Sequence, residues 1–63
     1  MFSGTTASQK ILIIDDDRSV RLVLATLLRK NGFVPLEASG GQEGISSLRS
    51  EHPRCVLLDL KMP

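Results

Sequence analysis

Three consecutive aspartates, Asp15, Asp16 and Asp17, close the apolar run "ILII" at residues 11–14. A fourth, Asp59, interrupts a second apolar stretch, "CVLLDL" at residues 55–60. Acids placed against buried strand ends repel one another and cost free energy unless something offsets their charge. A divalent cation is the simplest relief. The donors are all hard oxygens, with no His or Cys among them, which favours Mg²⁺ or Mn²⁺ over zinc. A plainer reading of "DDD" is a solvated turn followed by a helix cap, and for Asp17 the cap is the better reading. Asp59 is harder to explain that way, because an acid inside an apolar run needs a partner.

Other residues carry less chemistry. His52 and Cys55 are three apart but have no further soft ligands nearby, so they read as a surface His and a small buried Cys. Gly40, Gly41 and Gly44 do not follow the first strand and mark a helix start, not a phosphate-binding loop. The stripe Val20, Val23, Leu24, Leu27, Leu28 reads as core, and Arg21, Arg29 and Lys30 read as a solvated helix face.

Composition narrows the field. The chain has 63 residues, 8 basic and 7 acidic, for a net charge of +1. No run of Lys or Arg supplies the basic face that nucleic acid binding needs. Cys55 is the single cysteine, which excludes an intrachain disulfide and suits a reducing, cytoplasmic setting. The apolar fraction of 41% argues for a folded chain, while apolar runs of four residues fall far short of a membrane span. Residues 1–9 lack the basic and apolar regions of a secretory signal and read as a flexible polar tail.

The elements that must position the acids follow from periodicity. "KILII" (10–14) is a continuous apolar run, as in a strand covered on both faces. Arg18 to Asn31 has helical spacing, with Asp17 as its cap and "NG" at 31–32 as its stop. "FVPLEA" (33–38) is a strand whose Pro35 confines it to a sheet edge. A second helix opens with the capping-box spacing Ser39 to Gln42, turns Ile45 and Leu48 inward, and is closed off by Pro53. "CVLLDL" (55–60) is the third strand. The order β-α-β-α-β predicts an α/β fold with a three-stranded parallel sheet and right-handed crossovers. Ligands of such sheets gather beyond the carboxyl ends of the strands, where Asp15, Asp16 and Asp59 would meet.

"ILIIDDD", the capped helix after it, "EASGGQEG" and "CVLLDLKMP" resemble the receiver domain of two-component response regulators over residues 10 to 63. The resemblance implies a flavodoxin-like sheet of order 2-1-3 and a phosphoacceptor role for Asp59. It implies Asp16 as direct metal ligand, Asp15 as the acid reaching the metal through water, and the Lys61 backbone carbonyl as third protein ligand. Mg²⁺ or Mn²⁺ is the implied cofactor, and a sensor histidine kinase or phosphotransfer protein the implied partner. The family's last two β-α units have no counterpart in these 63 residues, so their Ser/Thr and Lys contacts to the phosphoryl group are missing. Activity of these residues alone is therefore expected to be impaired, and the bare edge of the third strand to pair with a second copy, or elements to be exchanged between copies.

Two other functions compete. "DDDRS" also resembles the Asp-x-Asp-x-Ser/Thr opening of haloacid-dehalogenase-like phosphatases, with Asp15 as nucleophile and Asp17 as acid/base. A purely self-associating structural role is the third. Steady phosphate release would mark the second function, and failure of the folded chain to bind millimolar Mg²⁺ the third.

Overall fold

The computed structural model describes residues 9–58. The expected tail, apart from Gln9, and the segment 59–63 lie outside the described residues. Five elements follow in order: β1 (Lys10–Ile14), α1 (Arg18–Lys30), β2 (Val34–Ala38), α2 (Gly41–Glu51) and β3 (Cys55–Leu58). The strands form one parallel sheet of order β2-β1-β3. The path runs from β1 out to β2, then back past β1 to β3. With right-handed crossovers, that reversal sets α1 and α2 on opposite faces.

The centre of this sheet is the core. Ile11, Leu12 and Ile13 of β1 are buried, with Ala25 of α1 and Ala38 of β2. β1 has a neighbour on each side: Leu12 is in register with Leu36 on β2 and with Val56 on β3. β2 is an edge strand, as Pro35 requires. The ladder also reaches past the expected start of order, because the Gln9 carbonyl accepts the Val34 N–H at 2.9 Å.

The caps follow local sequence chemistry. Asp17 is the N-cap of α1, and its Oδ1 accepts the N–H groups of Ser19 and Val20 at 2.9 and 3.4 Å. Asp17→Ala is expected to cost about 1 kcal/mol, read as a lower urea midpoint with an unchanged slope. Gly32 stops the helix with φ +85°, a conformation glycine adopts without strain. α2 begins differently from the sequence expectation. Its N-cap is Gly40, not Ser39, and the residue reaching back is Glu43, not Gln42. The Ser39 N–H and hydroxyl donate to Glu43 Oε1 at 2.7 and 2.9 Å. These bonds, the backbone one first, hold the Glu43 carboxyl below its usual 4.5. Their contribution is present above that unfolded-state value and is lost as pH falls through the lowered folded one.

Both helices present faces that differ from the periodic reading. On α1 the sheet-facing stripe is Arg21, Leu24, Ala25 and Leu28, whereas Val20, Val23 and Leu27 are exposed, Val23 by 60%. On α2 the buried residue is Gly44, and Ile45 and Leu48 are exposed. The reason is lateral extent: each helix packs on β1 and β2 and neither packs on β3. Apolar side chains on the far flank of each stripe therefore have no strand beneath them. For the same reason β3 is exposed along its length despite its apolar sequence, and Cys55, expected to be buried, is exposed.

Candidate functional site

The carboxyl end of β1 is where the acids sit. Asp15 is 3% exposed, the one buried charged residue among those described. Its N–H donates to the Ala38 carbonyl at 3.1 Å, extending the β1–β2 ladder by one step. Its Oδ1 accepts the Asp17 N–H at 2.9 Å, which closes a tight turn around Asp16. Its carbonyl accepts Nη1 of Arg21 at 2.6 Å. Asp16, at the apex of the turn, is exposed. One carboxylate is thus built into the framework and its neighbour is presented to solvent.

A cleft of about 520 Å³ opens beside this turn, between β1, β3 and the start of α1. Asp15 is the charged residue in its wall; Ile13, Val20, Leu24, Val56 and Leu58 supply apolar surface. The cleft lies at the carboxyl end of the central strand, the place where open parallel sheets bind ligands.

α2 is held close to this end of β1 by a missing side chain. A Cβ at Gly44 would overlap Ile14 Cδ1 and stand 2.9 Å from Ile14 Cγ1. Gly44→Ala gains about 1 kcal/mol of helix propensity but forces α2 or Ile14 to move at a cost of about 1–3 kcal/mol. The expected result is a net loss of about 1 kcal/mol in chemical denaturation, with amide shifts concentrated at Ile14–Asp16.

The structure brings Asp15 and Asp16 to one edge. The other two expected site residues, Asp59 and Lys61, lie outside the described residues. Among the described residues no group of three His, Cys, Asp or Glu is placed to hold a metal ion. Asp17 is engaged as a helix cap through its Oδ1. His52 is exposed and ends α2 in the left-handed region at φ 50°. Arg21 corrects the sequence reading. It is not a solvated charge: its side chain is 15% exposed and its Nε donates to Glu37 Oε1 at 3.3 Å. A signal was present, because Arg21 stands four residues before Ala25 and seven before Leu28, on the stripe that meets the sheet.

A parallel sheet of order β2-β1-β3 with a helix between successive strands defines the doubly wound α/β class of protein. The sequence profile of the response regulator receiver domain matches residues 11–63. The chain belongs to this family and so to two-component signal transduction. It is 46% identical over 55 residues to the probable transcriptional regulator ycf27 of Porphyridium aerugineum, covering 87% of this chain and 23% of that protein. It is 36% identical over 56 residues to sporulation initiation phosphotransferase F of Bacillus subtilis, covering 89% and 45%. It is 34% identical over 55 residues to the CAI-1 autoinducer sensor kinase/phosphatase CqsS of Vibrio cholerae, covering 87% and 8%. The chain thus spans less than half the length of each of these relatives. Receiver domains are phosphoacceptors and generally bind Mg²⁺. No described helix is long and apolar enough to cross a membrane.

Proposed function

We propose that residues 10–63 act as a cytoplasmic receiver module that accepts a phosphoryl group on Asp59. The observation that supports this most is the parallel pairing of β1 with β3, whose register ends at Ile14 and Leu58. Those residues immediately precede Asp15 and Asp59 in the sequence. The donor set suits a hard cation: Asp16 as direct ligand, Asp15 through water, and with them Asp59 and the Lys61 carbonyl, all through oxygen. Mg²⁺ or Mn²⁺ bound there would neutralise phosphoryl oxygens as charge develops. The Asp59 carboxylate attacks phosphorus of a phosphohistidine on a histidine kinase or phosphotransfer protein. An O–P bond forms, the P–N bond breaks, and the imidazole leaves with the electron pair and takes up a proton. Asp15, buried and bonded through Oδ1 to the Asp17 N–H, keeps the turn in place during this step.

Intact-mass measurement after treatment with acetyl phosphate and Mg²⁺ tests the proposal. One added phosphoryl group is expected, absent in Asp59→Asn. Steady release of phosphate without a stable adduct would instead support a phosphatase.

The isolated chain pairs with a second copy through β3. The support is that Val56, Leu57 and Leu58 are exposed and neither helix covers the strand. An apolar strand with unpaired backbone groups invites another strand. Sedimentation showing a stable, folded monomer at micromolar concentration would reject this pairing.

A further inference from the structure

We infer that Arg21 is a positioning residue for the metal-binding turn, holding the Asp15–Asp16 peptide so that the Asp16 carboxylate is set in place before any cation arrives. The inference rests on the proposal that Asp16 ligates Mg²⁺ and adds to it a residue from outside the acidic triplet. The guanidinium reaches two elements at once. Nη1 donates to the Asp15 carbonyl at 2.6 Å, and Nε donates to Glu37 Oε1 on β2 at 3.3 Å. That carbonyl belongs to the peptide unit whose nitrogen is Asp16's own. The unit is planar, so holding its oxygen also fixes the direction from which the Asp16 Cα departs. On the other side, Asp15 Oδ1 holds the Asp17 N–H at 2.9 Å. The backbone of the exposed Asp16 is therefore clamped before and after. Glu37 in turn anchors the guanidinium to the sheet, next to Ala38, whose carbonyl accepts the Asp15 N–H at 3.1 Å.

A merely electrostatic role and a positioning role predict opposite signs. Arg21 is a cation beside an acidic turn, so removing its charge alone should tighten Mg²⁺ binding. Removing its grip on the peptide should weaken binding, because the carboxylate must then be ordered at the cost of binding free energy. Mg²⁺ affinity of the whole chain, measured by calorimetry, separates the two. Arg21→Gln is expected to raise the Mg²⁺ dissociation constant about 10-fold. Arg21→Lys retains one donor for the carbonyl but not the fork to Glu37, and is expected to recover part of the loss. Unchanged or tighter binding in folded Arg21→Gln would overturn the inference. If that variant does not fold, Arg21→Lys decides, because it keeps the charge and changes only the grip: weaker binding than the parent supports positioning, and unchanged or tighter binding overturns it. Asp16→Asn is the separate control: if it binds Mg²⁺ as the parent does, the metal site itself is wrongly assigned, whatever Arg21 does.

Discussion

Leu12→Ala is expected to leave the chain largely unfolded at 25 °C. Leu12 is 1% exposed, in the middle of the central strand, with Leu36 and Val56 in register on either side. Truncating a buried Leu to Ala costs about 2–5 kcal/mol, through lost transfer free energy and the cavity left behind. A single core in a chain of this size rarely supplies more than about 3–5 kcal/mol. The two figures overlap, so one substitution removes most or all of the stability. Circular dichroism during urea denaturation would show the loss as a missing or strongly lowered folded baseline. Leu27→Ala is the matched comparison. It makes the same chemical change at a site that is 51% exposed, and is expected to shift stability by about 0.5 kcal/mol. Equal effects of the two would mean that β1 is not where the folding free energy is concentrated.

That contrast also marks what the sequence can and cannot convey. The order of the elements, the edge position forced by Pro35, the Asp17 cap and the Gly32 stop depend on local backbone chemistry, and each is where the sequence placed it. Burial depends on neighbours. The apolar stripes of α1 and α2 are wider than the pair of strands under them, so Val23, Leu27, Ile45 and Leu48 carry the periodicity of a core without being in one. "CVLL" reads like "ILII", yet β3 has a strand on one side and no helix over it. At the site, Asp15 and Asp16 were legible because acids closing an apolar strand are chemically conspicuous. Their unequal burial was not. Burial of Asp15 and exposure of Asp16 follow from which side of the turn faces the sheet, and consecutive identical residues carry no sign of that. Arg21 was hidden for a related reason. A charged residue on a helix ordinarily points to water, and what holds this one inward is a carbonyl six residues back and a carboxylate sixteen residues on.

The difference between the two acids leads to the sharpest functional expectation. Asp16→Asn keeps the shape of an exposed side chain and leaves the Asp15–Asp17 turn intact, so the fold should persist. It removes the one carboxylate of the described edge that is open to solvent and assigned to touch the cation directly. Mg²⁺ is commonly held by only one or two carboxylates, so losing one removes much of the site. Mg²⁺-dependent phosphorylation by acetyl phosphate, followed by intact mass, is expected to slow by about 100-fold or more, since the charge developing on the phosphoryl oxygens is no longer offset. Asp15→Asn should behave differently. Its amide oxygen can still accept the Asp17 N–H, so the turn survives, and a ligand acting through water is lost while the direct one remains. A smaller loss of rate is therefore expected there than in Asp16→Asn. The reverse order, with Asp16→Asn taking up phosphate at the parent rate and Asp15→Asn inactive, would mean that the buried carboxylate is the one that meets the metal and that the exposed one serves only the turn.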